Sequence, residues 1–547
     1  MTVAAPRDMH RRSLLLAMMT APAALALNGC ATRRPLPEPE IVGDVPVQVP
    51  AILAPYRVVK ATNAPKRVID VHAHFFNASD VPVAGYLAGP VAHSKSGVMR
   101  ELLKALAPIA EWLATRAPTA AQEFRELSQM VGDRSLTLLD RGSMQRRLDV
   151  TRSAYLDGLS RELYEQLRAL PEFVRLFNGT QRQLRQEHSA LRGSAGDLYP
   201  DLDAQSLTRA MRRETQLQTL STRELRTSHQ LAHAEGALAF LGHMLSYRWM
   251  NLRAYQEAFT TEDGAFGVDR VFGALVDFDH WLSPSLRSAH ADQIKVHHFL
   301  SKLSGGYLRA LAAYNPWSDV VDDGKTLERV RRAIVERGFV GVKIYPPNGF
   351  RPYGNSMAPG TVVGAPTGTA LDETLLKMWR QCTQLGVPVM AHSGHSMGSD
   401  DASEEKAGPV GWSLLLKRMQ GEALPRINVG HFGGDDTHYP WTQEFAALMN
   451  SREGANLYGD LGYWEDLRCG HPGASCPAAD RLTAAIKTYP IVEQRVMFGT
   501  DWFMLSMERR WDRYPHDLAA TTREMVNPEL FFGTNADRCF SQANPPV

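Results

Sequence analysis

In Val68-Ile-Asp-Val-His-Ala-His-Phe75 two histidines stand two positions apart inside an apolar, β-branched run. On a strand, residues i and i+2 point the same way, so His72 and His74 project together with Asp70 beneath them. Two imidazoles then face one point, as a bound metal ion requires. Asp70 is placed either to orient a ligand histidine or to pair with another buried group. Histidine pairs at this spacing also arise by chance, so the weight of the pair depends on what the other strands carry.

Seven further short runs, rich in Val, Ile or aromatic residues, end in polar or glycine-rich turns: 273–278, 311–314, 340–345, 387–392, 427–431, 455–460 and 495–501. From the third run onward the intervening stretches, such as 326–337 and 372–385, are patterned as helices. Eight such units predict an α/β fold, a (β/α)8 TIM-like barrel over residues 66–547. The exception is 77–267, between the first and second runs, which reads as a large helical insertion after strand 1. A loop leaving that strand emerges on the face where barrel active sites form, so the insertion either roofs the site or packs on the flank for stability or dimerisation. Its many arginines are interspersed with Glu and Asp and read as solvated faces.

The first 65 residues stand apart from the barrel. Arg11-Arg12 precedes an apolar run, 13–27, too short to span a bilayer, which ends in Leu27-Asn28-Gly29-Cys30. Residues 1–30 therefore read as a signal peptide ending at a lipobox cysteine, and 31–65, rich in proline, as a tether. This predicts export to the periplasmic side of a bacterial membrane, held there by a lipid on Cys30; an ordinary secretory signal cut elsewhere is the alternative. With 60 basic and 59 acidic residues the chain has no net field to attract nucleic acid, which leaves a small molecule as the expected partner. The only membrane contact expected is the lipid anchor, and a homo-oligomer is compatible with the sequence. Five cysteines are too few for a disulfide scaffold. Cys469 and Cys476 could close a loop disulfide or remain two free thiols.

Other strand ends carry the same chemistry as the first. His392 ends the fifth run, His431 the sixth and Asp501 the eighth. Together with His72 and His74 they place four imidazoles and a carboxylate at one mouth, ligands that suit zinc and related divalent ions. Lys343 sits in the middle of Val340-Gly-Val-Lys-Ile-Tyr345, where burial of an unpaired charge is costly. It is either an ammonium paired with a carboxylate such as Asp501 or Asp70, or an amine of lowered pKa able to react with carbon dioxide and bridge two metals. Tyr345, on the same face, could meet substrate.

These pieces, with Pro388-Val-Met-Ala-His-Ser-Gly394, Val429-Gly-His-Phe-Gly-Gly434, Met497-Phe-Gly-Thr-Asp-Trp502 and Phe532-Gly-Thr-Asn-Ala536, resemble the amidohydrolase superfamily, in particular its amidohydrolase-2 type branch. The resemblance runs from about Lys66 to Phe540 and does not cover the insertion. It implies that His72, His74 and Asp501 hold a first metal. In single-metal members the counterpart of His392 completes that site and that of His431 acts on substrate or water. In two-metal members a carboxylated lysine, here Lys343, ends strand four, and both later histidines bind the second ion; this arrangement is the one favoured. The implied cofactor is thus one or two divalent ions, zinc foremost. Asp501 would accept and return a proton, with His431 or Tyr345 helping to hold an oxyanion. His395, Arg351 and His438 lie just beyond strand ends as candidates for substrate contact.

The activity implied is metal-dependent hydrolysis of a small molecule, with water attacking an amide, lactone or ester carbonyl. A single-metal non-oxidative decarboxylase of the same superfamily is the first alternative, although Lys343 departs from what those enzymes carry. A barrel retained as a non-catalytic binding lipoprotein is the second.

Overall fold

A computed structural model describes residues 44–46, 48–55, 65–87, 97–132, 139–187, 201–212, 233–260, 266–280, 286–357, 366–398, 400–436, 438–468, 476–508 and 511–540. The signal segment with Cys30, most of the tether, and Cys469 lie outside the described residues. Cys476 is disulfide-bonded.

Eight parallel strands follow one another around a single sheet in chain order. They are β1 (Ile69–Ala73), β2 (Arg270–Ala274), β3 (Leu308–Ala313), β4 (Gly341–Ile344), β5 (Val389–Gly394), β6 (Ile427–Gly433), β7 (Leu457–Asp460) and β8 (Val496–Met497). Backbone bonds across the β8–β1 seam bring the ring together: Val71 N–H donates to the Phe498 carbonyl (3.1 Å), and the N–H groups of Thr500 and Asp501 both donate to the His72 carbonyl (3.2 and 2.6 Å). The fold is the TIM-like barrel read from the sequence.

The second strand is displaced from its expected span, 273–278, toward the N-terminus. Gly273 is a point of close packing within the strand. A Cβ there would come within 2.7 Å of Leu308 and 3.0 Å of Phe75, so this is where neighbouring side chains close over the strand. The apolar residues that follow, Leu275, Val276 and Phe278, are buried beyond it.

Two helices between β1 and β2 bear on the site: α1 (Arg141–Arg168), capped by the Asp140 carboxylate on Ser143 N–H, and α2 (Arg248–Ala258), buried along nearly its whole length. Six helices then alternate with the strands: α3 (His290–Leu303), α4 (Lys325–Arg337), α5 (Gly368–Leu385), α6 (Pro409–Arg418), α7 (Trp441–Asn450) and α8 (Pro477–Thr488). The local chemistry of α5 is typical of its start and stop. Thr367 accepts from Ala370 N–H, and Gly386, at φ +68°, ends the helix by turning the chain left-handed into β5.

A buried ion network fastens the segment after β1 to α2. Arg248 donates from Nε and Nη2 to Asp80 (2.9 and 2.5 Å) and from Nη1 to Glu123 (2.8 Å), and all three side chains are buried. Residues 44–46 and 48–55, within the stretch read as a proline-rich tether, pack on the rest of the chain. Ile52 and Leu53 are buried, and Gln145 and Gln256 donate to the Ala54 and Leu53 carbonyls (both 2.8 Å). The apolar Ile52-Leu53 pair within the proline-rich stretch supplies the burial that anchors it. No described helix is long and apolar enough to cross a membrane.

Candidate metal centre

His72 occupies β1 and His74 follows its end. A nitrogen from each, with a carboxylate oxygen of Asp501, forms a group whose three ligand atoms lie within 4.8 Å of one another. His74 Nε2 and Asp501 Oδ1 are 3.4 Å apart. Three glycines make room for the His72 side chain. A Cβ on Gly430, Gly462 or Gly499 would meet it at 3.0, 2.9 and 2.9 Å respectively, so the ends of β6, β7 and β8 close around it as a socket.

Each ring is held with one nitrogen engaged. His72 Nδ1 faces both oxygens of Asp460 (3.0 and 3.2 Å), and Nδ1 of His74 donates to the Ala274 carbonyl (2.8 Å). His431 Nδ1 donates to the Gly462 carbonyl (2.8 Å). These partners assign the proton to Nδ1 in each ring and turn the Nε2 lone pair inward. His392 Nδ1 lies 3.0 Å from His431 Nε2, and Ser396 Oγ stands 3.3 Å from His392 Nε2.

Burial, reinforced by the charge of Lys343, lowers the pKa of His74 to about 3 and that of His72 well below the usual imidazole range. Burial and the neighbouring His431 do the same for His392, and burial outweighs the pull of Asp460 to bring His431 to about 4. All four imidazoles are therefore neutral at pH 7, the form that binds a metal. Lys343 Nζ lies 3.4 Å from His72 Nε2. Burial lowers its pKa to about 8, with Asp501 and Asp460 opposing the shift. Lys343 thus stands beside an imidazole nitrogen within the cluster, with the Asp501 and Asp460 carboxylates acting on it.

Backbone conformation at the site is strained in the way functional positions often are. Asp501 (φ +50°), His431 (φ +67°) and Phe432 (φ +42°) are all left-handed. The left-handed turn at His431, near the end of β6, sets the imidazole beside that of His392, and Trp464 Nε1–H pins the His431 carbonyl at 2.7 Å.

The structure thus brings together His72, His74, Lys343, His392, His431 and Asp501. Other positions expected at the site are engaged elsewhere. Tyr345 edges the His392 ring (centroids 5.1 Å apart), but its hydroxyl donates to the Met397 carbonyl (3.1 Å), so it is not poised as an oxyanion donor. His395 stacks on Tyr439 (3.8 Å) and pairs with Glu404 and Glu405 (3.2 and 3.5 Å). Arg351 packs along Gly411 of α6, its backbone N–H and carbonyl bond the Asn355 side-chain amide, and its buried Nε has no hydrogen-bond partner among the described residues. The His438 side chain is 88% exposed, beside Asp436.

One carboxylate, Asp460, has a role the sequence reading did not give it, and Asp70 takes the second of the two roles open to it, bonding other buried groups. Asp460, at the end of β7, is fully buried and accepts from His72 Nδ1, Asn428 Nδ2 (2.7 Å), and the N–H groups of His431 (3.2 Å) and Gly462 (2.9 Å). It is the group that orients a ligand histidine, a role open to Asp70 on the sequence alone. Asp70 instead accepts from Thr500 N–H and hydroxyl (3.1 and 2.6 Å), the Tyr255 hydroxyl of α2 (2.6 Å) and His72 N–H (3.0 Å). Its position next to Asp501 in space comes through Thr500, so it ties β1, the last strand and the insertion together.

A second cluster, Asp277, Asp279 and His290, lies past the end of β2. His290 Nε2 reaches both carboxylates (3.3 and 3.2 Å) while Arg329 takes the other oxygen of Asp277 (3.3 Å). Two cations already balance the two carboxylates, which marks an ion-pair network.

Residues 310–541 match the family model described as amidohydrolase. No protein of curated function matches the chain. Among solved structures it is similar to an uncharacterized TIM-barrel protein from Bordetella bronchiseptica, at 15% identity and TM-score 0.34, over 54% of this chain and 83% of that one. It is also similar to a probable 2-pyrone-4,6-dicarboxylic acid hydrolase from Acinetobacter baumannii with citric acid bound, at 13% identity and TM-score 0.33, over 50% of this chain and 84% of that one. The family match carries β4 to β8 with Lys343, His392, His431 and Asp501, and over those residues the chain is similar to the amidohydrolase family.

Proposed function

We propose that the chain is a metal-dependent hydrolase that directs water onto the carbonyl of a small amide, lactone or ester. The observation carrying this reading is the meeting of His72, His74 and Asp501 within 4.8 Å, two neutral imidazoles and a carboxylate of the kind divalent ions take. Zinc fits this mixed nitrogen and oxygen set. Lys343, His392 and His431 stand beside it and would hold a second ion if the lysine carries a carbamate. When bound, a divalent cation supplies Lewis acidity, which acidifies water and polarises a carbonyl.

The residues of the chain do the remaining work. Asp501 is placed to accept a proton from the attacking water and return it to the leaving group. His72 is held in one tautomer by Asp460, which keeps its Nε2 lone pair turned inward. His431, fixed through Gly462 and Trp464, turns its Nε2 lone pair inward, which fits it to hold an ion or accept a proton.

Elemental analysis of gently purified protein, coupled to a screen of ester, lactone and amide substrates, tests the reading. Stoichiometric zinc or a related ion, with turnover abolished by Asp501→Asn, is expected; a chain that binds no divalent ion refutes it. The three-residue group is also what a single-metal decarboxylase needs, so one ion with carbon dioxide released from a carboxylated substrate would favour that chemistry. The export reading belongs to this proposal as well: palmitate labelling of cells should mark the chain and be lost in Cys30→Ala.

A further inference from the structure

The side chains one step outward from the ligand cluster are aromatic. Phe76 follows His74 by two residues and Tyr345 follows Lys343 by two, so each continues the inward face of its strand one layer toward the mouth. Phe278, beyond β2, bridges them: its ring lies 6.4 Å from Phe76 and 5.8 Å from Tyr345. Phe503, two residues after Asp501, packs on Phe76 at 4.0 Å, and Tyr86, from the short helix Val83–Tyr86 of the insertion, meets Phe76 and Phe278 at 6.3 and 6.0 Å. The layer reaches the ligands directly, with Phe76 6.1 Å from His74 and Tyr345 5.1 Å from His392.

Two features suggest that this layer faces a bound molecule. Phe76, Phe278 and Tyr345 keep 6–8% exposure, as do His74 and Asp501, whereas His72 and Lys343 beneath them are 0–1% exposed. The remaining access to the cluster therefore passes the aromatic rings. Both tyrosine hydroxyls are already committed, Tyr345 to the Met397 carbonyl and Tyr86 to Met504 Sδ (2.9 Å), so what the layer offers is ring surface. None of the five rings of this layer carries a positive charge that would pair with an anionic group placed among them.

We propose that the site takes a neutral carbonyl compound whose acyl group is aromatic or similarly flat and apolar, in preference to a carboxylated one. This rests on the metal-dependent hydrolase reading and specifies its substrate class. Phe278 and Tyr345 already touch each other, so an acyl ring would rest on their outward edges over the ligand cluster, with its carbonyl directed at His74 and Asp501.

The test uses binding, which does not depend on turnover. Three hydroxamates, which share one metal-chelating head, are titrated calorimetrically into the zinc-loaded full chain: benzohydroxamate, acetohydroxamate and the monohydroxamate of succinate. Benzohydroxamate is expected to bind about tenfold more tightly than either of the others. Phe278→Leu, which keeps apolar volume without the ring, should reduce that advantage to roughly threefold or less while leaving acetohydroxamate unchanged. Tighter binding of the succinate compound overturns the substrate class and leaves the hydrolase reading standing. Equal loss of all three hydroxamates in Phe278→Leu also overturns it, since the ring would then serve the fold alone. A zinc-loaded chain that binds none of the three overturns both.

Discussion

Replacement of Asp460 by Asn separates the charge of this carboxylate from its hydrogen bonds, because the surrounding geometry supports the amide. Asp460 receives four donors, from His72, Asn428, His431 and Gly462. An asparagine keeps its Oδ1 for His72, His431 and Gly462. Its new Nδ2 would confront Asn428 Nδ2, but Asn428 Oδ1 is buried without a hydrogen-bond partner, so a flip of the Asn428 amide turns a clash into a bond. Folding free energy should therefore change by no more than about 1 kcal/mol. The His72 ring loses the negative charge that raises its basicity as a ligand, and metal affinity should fall about 10- to 100-fold, or about 1.4–2.7 kcal/mol.

Asp460→Ala is the contrasting variant. It leaves four buried donors without an acceptor, at about 1–3 kcal/mol each, so a stability loss on the order of 4 kcal/mol or more is expected together with the loss of metal. Competition between the metal-free protein and a chromophoric chelator at pH 7 gives the affinities, and urea unfolding of the same preparations gives the stabilities. Metal affinity of Asp460→Asn within about threefold of the parent would refute the argument, since the charge would then contribute nothing through His72.

Lys343→Ala should lower the metal content by one ion per chain if the lysine bridges two ions; unchanged content by elemental analysis would assign it a purely electrostatic role. Tyr255→Phe removes one of the donors to Asp70 and should cost about 1 kcal/mol while also weakening metal binding, with Tyr307→Phe, a neighbouring buried tyrosine, as the control that leaves the metal untouched. Arg248→Met leaves Asp80 and Glu123 buried without their cation and should destabilise the chain by about 3–5 kcal/mol in urea unfolding; a loss below about 1 kcal/mol would show the network to be idle. Burial would lower the pKa of His290, but Asp277 and Asp279 overcome it and raise the group to about 10. Its contribution is complete below the unfolded value near 6.5 and lost as pH rises toward 10, so stability should decline over that window, and His290→Gln should flatten the decline.

What the sequence made legible is what strand geometry repeats. Alternation along β1 aims His72 and His74 at one point, and the rule that barrel chemistry gathers where strands end picked out His392, His431, Lys343 and Asp501 from stretches far apart in the chain. The same rule applied to the seventh run, 455–460, would have flagged Asp460, a carboxylate ending an apolar strand as Asp501 follows another. It was passed over because a second carboxylate of identical local pattern is distinguished only by what it touches, and that is a matter of three dimensions. Side chains just past strand ends were less legible for a related reason. His395 and His438 lie in turns whose direction depends on local pairing, with Glu404 and Glu405 in one case and Asp436 in the other, and no periodicity fixes such turns.

The least legible element is also the one that joins the insertion to the chemistry. Asp70 sits at the start of the decisive motif, and its partner hydroxyl comes from Tyr255, 185 residues later in a helical stretch with no motif of its own. Through Thr500, the same carboxylate fixes the backbone immediately before Asp501, whose left-handed conformation needs support from its surroundings. The insertion thereby acts at two levels of the barrel: Tyr86 contributes ring surface at the mouth, and Tyr255 braces the strand that carries the first two ligands. A helical segment that only covered the flank would have no reason to place a buried hydroxyl on the carboxylate two residues from His72.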